Sequence, residues 1–313
     1  MTEVLINSGL QLALLLLVAP LVSGMIKTMK ARLQTRRGPG VLQSYRDIIK
    51  LLRKGMVVPE TASWIFSSAP YVVFATATLV GLMIPMTTTH APLSMYGGVL
   101  AVVYLLALGR FFLALGGLDT GSSFGGLGSS REMTISAIAE PAMMLAIFTV
   151  ALGANSTNLG EMANIAVTQS WRFLAPSQML AFAALLIVLI AETGRIPVDN
   201  PATHLELTMI HEAMVLEYSG PYLALIEWGS SIKQLVLMTL LVNTFFPFGL
   251  SSDWTARTVG VGLAFYLAKL LLLACIIVLV ETTNAKLRLF RVPELLMVAF
   301  ILGALALIST FLF

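Results

Sequence analysis

Eight runs of about 20 mostly apolar residues follow one another along the chain, and they restrict its fold more than any other feature. A run of this length crosses a bilayer as an α-helix, because each residue rises about 1.5 Å and the hydrocarbon core is about 30 Å thick. Only 11% of the 313 residues are charged, against roughly 25% in soluble proteins. The sequence therefore predicts an all-α, polytopic integral membrane protein. It excludes a soluble enzyme, a disulfide scaffold, a disordered chain and a nucleic-acid binder.

The predicted spans form a single transmembrane domain over residues 1–313. The first span is not a signal peptide, because Glu3 precedes it and its positive charges follow it. The spans are predicted at residues 5–26, 69–89, 98–118, 133–154, 175–192, 222–246, 257–281 and 294–313.

Basic residues are distributed unevenly between the two sets of loops. Loops 27–68, 119–132, 193–221 and 282–293 contain nine, one, one and three Lys or Arg residues. The opposite set contains only Arg172 and, at a helix edge, Arg257. By the positive-inside rule the first set is cytoplasmic, which predicts that both termini lie outside.

The first long loop, residues 27–68, is basic and contains a predicted amphipathic helix. After a break at Gly38-Pro39-Gly40, apolar residues recur at helical spacing opposite basic ones. Such a helix lies at the membrane surface, where its charges contact anionic lipid and set the topology. The same charges also suit a docking surface for a soluble partner. The docking candidates are Arg36, Arg37, Arg46, Lys50, Arg53 and Lys54.

The loop at residues 193–221 is acidic where basic residues are expected. Asn200-Pro201 suits a helix start, after which Glu206 and Glu217 fall on one predicted helical face. Two carboxylates on one face are expected to have pKa values raised by mutual repulsion and desolvation. A solvated loop helix is the alternative interpretation.

Five ionisable residues are predicted inside spans, where each costs roughly 2.5–3.5 kcal/mol unless it pairs or contacts water. A buried carboxylate titrates usefully, so a proton or ion path is favoured for Glu140 and Glu227. A structural ion pair with Glu140 is favoured for Arg110, because arginine keeps its proton. Lys269 fits either role, since a desolvated lysine loses its charge readily. The five are Arg110, Glu140, Glu227, Lys233 and Lys269.

Two further carboxylates, Glu192 and Glu281, end their predicted spans. Ordinary interfacial charges are the competing interpretation for both of them.

Cysteine and histidine content restricts the chemistry of the chain. Cys275 is alone, so it cannot hold an iron–sulfur cluster or a structural zinc, and it has no disulfide partner. His204 and His211 are two helical turns apart, but no further ligands accompany them, so no metal site is predicted. Any redox chemistry belongs to another chain.

Several motifs carry a family resemblance across essentially the whole chain. The basic loop reads RRGPGVLQSYRDIIKLL, Ser130-Arg131-Glu132 precedes Glu140, and the acidic loop begins ETGRIPVDNP and ends EYSG. In order and topology these motifs resemble the membrane-arm subunit beside the quinone cavity of respiratory complex I, the subunit 1 or H family of NADH:quinone oxidoreductase.

Where the sequence departs from that family, it resembles a second group of membrane subunits. Ala202 and His204 occupy positions where complex I subunits typically have glutamates, and only Glu206 remains. Glu281 replaces an arginine-bearing end of the seventh span. With the stretch GLDTGSSFGGLGSSRE, these features resemble the membrane subunit of energy-converting (group 4) nickel–iron hydrogenases, including the formate hydrogenlyase type. Those complexes pass electrons to protons without a membrane quinone.

The resemblance implies a subunit of the bacterial or archaeal cytoplasmic (inner) membrane. It would anchor a soluble nickel–iron large subunit and an iron–sulfur small subunit, adjoin antiporter-like membrane subunits, and couple electron transfer to proton or sodium translocation. It would hold no cofactor and catalyse nothing alone, because the nickel–iron site and iron–sulfur clusters lie in the partners.

The predicted coupling path runs from the acidic loop into the spans. Its residues are Glu140, Glu192, Glu206, Glu212, Glu217, Glu227, Lys233, Lys269 and Glu281, and the predicted buried structural charges are Arg110, Arg131, Arg195 and Asp199.

Two alternatives stay open. One is a quinone-site subunit of a complex I-like dehydrogenase, with Arg195, Asp199 and Glu206 near the head-group path. The other is a stand-alone secondary transporter that uses the charges inside the spans.

Overall fold

A computed structural model describes residues 2–89, 91–168, 175–199, 209–250 and 256–312. Within these ranges the chain forms eleven α-helices and two short 3₁₀ helices, Ser94–Tyr96 and Leu289–Arg291. The α-helices are α1 Thr2–Leu33, α2 Gln43–Leu52, α3 Trp64–Met83, α4 Val99–Asp119, α5 Ser123–Ala154, α6 Leu159–Thr168, α7 Pro176–Glu192, α8 His211–Val215, α9 Gly220–Phe245, α10 Ala256–Thr283 and α11 Val292–Leu312.

Seven helices in the described ranges are long and apolar enough to cross a membrane: α1, α3, α4, α5, α9, α10 and α11. Helix α7 has 17 residues, which is near the lower limit for a span. Each of the eight predicted spans coincides with one of these helices. The prediction of an all-α polytopic membrane protein is therefore confirmed.

Helix α3 begins at Trp64 rather than at residue 69, because the last residue of α4 caps it. The Asp119 carboxylate accepts hydrogen bonds from the backbone N–H groups of Ser63 at 2.7 Å and Phe66 at 3.2 Å. These amides have no partner inside the helix, and the negative charge suits the positive end of the helix dipole.

Helix α5 begins at Ser123, ten residues before its predicted span. The glycine-rich stretch before residue 133 predicts a loop, because glycine is a poor helix former. Tertiary contacts override that preference. The Ser122 hydroxyl accepts from Gly125 N at 3.1 Å, and Gly128 packs so closely on α8 that an added Cβ would lie 2.8 Å from the Ala213 Cβ.

Prolines inside two spans leave a backbone carbonyl without its helical partner, and an aromatic side chain supplies the missing donor in each case. Pro20 has no N–H for Leu16 O, and Trp228 Nε1 donates to that oxygen at 3.1 Å. Pro70 similarly frees Phe66 O, which accepts from the Tyr218 hydroxyl at 3.2 Å. Unpaired carbonyls are costly in a bilayer, so these bonds tie α9 to α1, and the loop before α9 to α3.

The predicted cytoplasmic loops meet at one end of the helix bundle, called here the loop end. Ser219 Oγ accepts from Val57 N at 3.0 Å, and Leu287 N donates to Pro197 O at 2.8 Å. The predicted amphipathic helix is confirmed as α2, which packs on α1 and α9. It buries Ser44 and Ile48.

The predicted helical face joining Glu206 to Glu217 is wrong. Helix α8 begins only at His211 and ends at Val215, so Glu217 lies beyond it, and Glu206 lies outside the described residues. The physical reason is competition for the backbone: the Asp199 carboxylate accepts from Ile210 N at 3.2 Å and His211 N at 3.4 Å.

Candidate functional site

Five charged side chains meet inside the bundle near the loop end, and we call them the Arg110 cluster. Arg110 Nη1 lies 3.0 Å from Glu140 Oε1, Arg110 Nη2 contacts Glu192 Oε2, and Arg110 Nε is 3.7 Å from Glu132 Oε1. Lys233 Nζ approaches the same Glu192 oxygen to 2.9 Å. The cluster contains three carboxylates and two cations, so it has a net charge of −1 when all five groups are ionised.

Helix packing brings these side chains together. Arg110 stands near the middle of α4 beside Gly109, where a Cβ would lie 2.5 Å from Thr76 Oγ1 of α3. Glu132 and Glu140 are eight residues apart on α5 and therefore share a face of that helix. Glu192 is the last residue of α7 and Lys233 lies on α9. The predicted ion pair between Arg110 and Glu140 is confirmed.

A second group, the Glu281 cluster, lies at the same end of the bundle. Glu281 accepts ion pairs from Lys30 Nζ at 2.7 Å and Arg195 Nη1 at 2.6 Å. Gln234 Oε1 accepts from Arg195 Nη2 at 2.9 Å and from Ser23 Oγ at 3.0 Å. This cluster has two cations and one carboxylate, so its net charge is +1 when ionised.

The two clusters are adjacent and carry opposite net charge. Glu192 and Arg195 are one turn apart along the chain, and they bond to the consecutive residues Lys233 and Gln234 of α9. When all groups are ionised, the combined charge of the two clusters is zero. Protonation of a carboxylate in either cluster therefore gives the two clusters together a net charge of +1.

The interpretation of Glu192 and Glu281 as interfacial charges is wrong. Both side chains are 3% exposed, and each is ion-paired with two cations. The reason is that residues 193–199, directly after α7, turn back toward the helix ends, where Arg195 pairs with Glu281 and Leu287 N donates to Pro197 O.

Polar contacts hold Asp199 and Met209, the described residues on either side of positions 200–208. Lys286 Nζ lies 2.7 Å from Asp199 Oδ1, and Arg131 Nη1 donates to Met209 O at 2.8 Å. Arg195 and Asp199, which the quinone alternative puts beside a head-group path, are thus held in ion pairs with Glu281 and Lys286.

Two cavities adjoin the Arg110 cluster. The membrane cavity, between α3, α4 and α9, encloses about 610 Å³ including its mouth, and Arg110, Glu132, Glu192, His211 and Lys233 contribute its charged or titratable lining. The loop cavity, about 240 Å³, is lined by Asp199 together with Glu132, Glu192 and His211. The titratable side chains common to both are Glu132, Glu192 and His211, so a polar route leads from the loop segment into the bundle.

Other predicted path residues are not brought into the cluster. Glu217 and Glu227 are exposed, and Glu212 is half-buried on α8. Lys269 lies at the opposite end of the bundle, where its Nζ donates to Asn243 Oδ1 at 2.8 Å and to Phe246 O at 3.1 Å. This cation therefore interacts with the carboxyl end of α9, which carries partial negative charge.

Three participants were missed by sequence reasoning: Glu132, Lys30 and Gln234. Glu132 was assigned to a loop, although it precedes Glu140 by two helical turns and that spacing is a usable signal. Lys30 was counted only as a topology charge. Gln234 is neutral, so a search for charged residues inside spans passes over it.

The predicted docking residues lie on the surface of the loop end. All six side chains are exposed, on α2 and the segments on either side of it. Leu42 and Ile49 are about half exposed beside them. Among the described residues, no three His, Cys, Asp or Glu side chains are arranged to bind a metal ion.

Comparisons with known proteins agree over nearly the full length of the chain. The sequence profile of the NADH dehydrogenase family matches residues 7–312. Formate hydrogenlyase subunit 4 of Escherichia coli (strain K12) is 36% identical over 301 residues, which cover 96% of each chain. Hydrogenase-4 component C of the same organism is 36% identical over 297 residues, covering 95% of this chain and 92% of that one.

A solved structure shows the same fold. A chain of the membrane-bound sulfane sulfur reductase, an archaeal respiratory membrane complex, matches with a TM-score of 0.85. The match covers 97% of this chain and 98% of that chain at 20% sequence identity.

Proposed function

The chain belongs to the NADH dehydrogenase family, and from this premise we propose that it is the membrane subunit of a hydrogenase-like complex. In that complex it anchors a soluble redox arm and couples electron transfer to the movement of protons or sodium ions. Its relatives include subunits of formate hydrogenlyase and hydrogenase-4, and these are matched almost end to end.

The proposed partners follow from the same relationship. A nickel–iron large subunit and an iron–sulfur small subunit dock at the loop end, and antiporter-like subunits lie beside the spans. We propose that the loop end faces the cytoplasm of a bacterium or archaeon, with both termini on the other side of the membrane; the basic residues in these loops support this orientation.

The Arg110 cluster is the observation that carries the coupling role. Its net charge of −1 means that one added proton neutralises it, and the cluster lies near the loop end, where we propose that the soluble arm docks. A unit charge arriving about 10 Å away changes the protonation free energy by about 1.7 kcal/mol at an effective dielectric constant of about 20. That is more than a tenfold change in the protonation equilibrium. Electron arrival in a docked subunit therefore drives proton uptake by the cluster.

The polar route gives this proton a path. It enters through the loop cavity, reaches the carboxylates around Arg110, and leaves along the membrane cavity past Lys233 on α9. Glu140 is the best proton acceptor in the cluster, because its side chain is 30% exposed and has a single ion-pair partner.

The substitution Glu140→Gln tests the coupling role. Glutamine preserves the shape of the side chain and a hydrogen bond with Arg110 but cannot take up a proton. In vesicles containing the assembled complex, we expect electron transfer without normal ion translocation. Glu294→Gln, at an exposed carboxylate on α11, is the matched control. Unchanged translocation by Glu140→Gln contradicts a coupling role for the cluster.

Purification tests the partnership itself. Affinity purification of this chain from its native membrane is expected to recover soluble subunits containing nickel and iron–sulfur clusters, measured by metal analysis. A chain that purifies alone and transports ions in vesicles contradicts the proposal and supports the secondary-transporter alternative.

A further inference from the structure

The loop cavity and the membrane cavity are adjacent, and they meet at three titratable side chains: Glu132, Glu192 and His211. We infer that His211 is the proton relay between the two cavities. This inference rests on the proposed coupling function and adds to it the residue that transfers the proton from the loop segment to the Arg110 cluster.

Of the three shared side chains, Glu132 and Glu192 have ion pairs, and His211 has none with any residue that the structure describes. Glu192 is paired with Arg110 and Lys233, and Glu132 faces Arg110. In the described part of the chain, no residue forms a hydrogen bond with the His211 ring; its one bond is through the backbone N–H. The imidazole is therefore available to exchange protons with either cavity.

The backbone around His211 is fixed although its ring is not. Asp199 accepts the His211 backbone N–H at 3.4 Å and is itself paired with Lys286 at 2.7 Å. The next residues of α8, Ala213 and Met214, are buried against the bundle. These contacts hold the imidazole between the cavities without using either of its nitrogens.

The chemistry of imidazole suits the relay of a proton from one side of the ring to the other. A proton from the loop cavity forms a new N–H bond at one ring nitrogen, and the N–H bond at the other nitrogen then breaks and delivers its proton to a carboxylate of the Arg110 cluster. The ring ends neutral in its other tautomer, and one positive charge has moved inward. Rotation of the ring about the Cβ–Cγ bond returns it to the starting arrangement for the next proton.

The charged groups around His211 come from every adjacent element. Glu132 faces it from α5, Glu192 from α7 and Asp199 from the segment after α7, while Glu212 is its neighbour on α8. Arg110 and Lys233 lie farther along the membrane cavity. Two cations lie close to the same backbone: Lys286 pairs with Asp199 at 2.7 Å, and Arg131 donates to Met209 O at 2.8 Å. The carboxylates of Glu132 and Glu192 provide acceptors for the relayed proton.

The test uses the assembled complex in vesicles, with proton translocation measured per electron transferred. His211→Gln keeps a polar side chain but cannot relay a proton, and we expect translocation to fall about a hundredfold, at the low end of effects for a positioned acid–base group. His211→Ala should show the same loss, and added imidazole should restore part of the translocation. Leu216→Ala, at a half-exposed position just after α8, is the control for disturbance of the segment.

The outcomes separate the relay from the function on which it rests. A wild-type complex that moves no ions overturns the proposed function and the relay with it. Translocation that survives in His211→Gln overturns the relay alone. Loss in both variants without any recovery in imidazole assigns His211 a structural role and also overturns the relay.

Discussion

At the residue scale, Arg110 is a structural cation that permits three carboxylates to share one buried site. Each nitrogen of its guanidinium faces a different carboxylate, those of Glu132, Glu140 and Glu192. A lysine has one ammonium group and cannot reproduce that planar fork. The arrangement stabilises the cluster only while the cation is present, because isolated buried charges are costly.

We expect Arg110→Met to lower the free energy of unfolding by about 3–5 kcal/mol, because it leaves the buried Glu192 with Lys233 as its sole ion-pair partner in the cluster. Arg110→Lys should cost less, since it keeps the charge but loses the fork. Thermal unfolding in detergent measures both changes.

Two further variants make this prediction specific to the cluster. Arg288→Met removes an exposed arginine and should leave the unfolding temperature nearly unchanged. Adding Glu192→Gln to Arg110→Met should recover part of the lost stability, because it removes the uncompensated charge. Equal unfolding temperatures for Arg110→Met and the wild type contradict the structural role.

Sequence reasoning found part of this site. The pair between Arg110 and Glu140 follows from charges on consecutive spans, which have few partners within reach. The roles of Glu192 and Glu281 do not follow, because only the folded path of the segment after α7 reveals that they are buried. Lys30 was not identified because nothing along the chain indicates that it turns inward to Glu281.

At the element scale, two of the three spans interrupted by proline, α1 and α3, are repaired by side chains from distant parts of the sequence. Tyr218 donates to Phe66 O, and its ring stacks on the Phe66 ring with centroids 4.1 Å apart. Burial raises the pKa of the Tyr218 hydroxyl, with smaller contributions from Asp119 and Tyr222. A raised pKa keeps the phenol protonated, so it remains a donor throughout the physiological pH range.

We expect Tyr218→Phe to lower the free energy of unfolding by about 1–2 kcal/mol, because it preserves the ring contact and leaves a buried carbonyl unpaired. The same substitution in a Pro70→Ala background should cost less, since alanine restores the helical N–H for Phe66 O. A double-mutant cycle measured by unfolding of the purified chain gives this difference. Equal costs of Tyr218→Phe in the two backgrounds would show that the carbonyl does not depend on the tyrosine.

The existence of the spans was predictable, whereas the starts of α3 and α5 and the extent of α8 were not. Long apolar runs located each span because a bilayer imposes the length. The early start of α5 depends on glycines packing against α4 and α8, and the short α8 depends on Asp199 binding backbone amides. Both boundaries depend on tertiary contacts, which the helix propensity of the local sequence does not predict.

At the scale of the whole molecule, the loop end presents a basic surface made by α2 and its flanking segments. We expect Lys50→Glu combined with Arg53→Glu to loosen the soluble arm, because it reverses two exposed charges of the proposed docking surface. Immunoblotting of salt-washed membranes measures the retained arm. Arg288→Glu combined with Arg291→Glu is the control, because it makes the same charge change outside α2. Full retention of the soluble arm by the variant with Lys50→Glu and Arg53→Glu contradicts the docking role of α2.

On the side of the bundle, Glu227 carries a charge that no other described residue neutralises. Glu227 lies within the span formed by α9 and is exposed, and it forms no ion pair with the described residues. A carboxylate facing lipid costs roughly 2.5–3.5 kcal/mol on insertion scales. Pairing with a Lys or Arg on a helix of a neighbouring membrane subunit would offset that cost.

We therefore expect Glu227→Leu to weaken association with the neighbouring membrane subunits while the chain alone unfolds at the same or a higher temperature. The two effects diverge because Glu227 has its partner outside the chain. Native gel electrophoresis of the detergent-solubilised complex measures the first, and thermal unfolding measures the second. Leu272→Ala, at an exposed apolar position on α10, should change neither. Complete assembly of Glu227→Leu, together with a more stable chain, would mean that Glu227 faces lipid and has no partner subunit beside it.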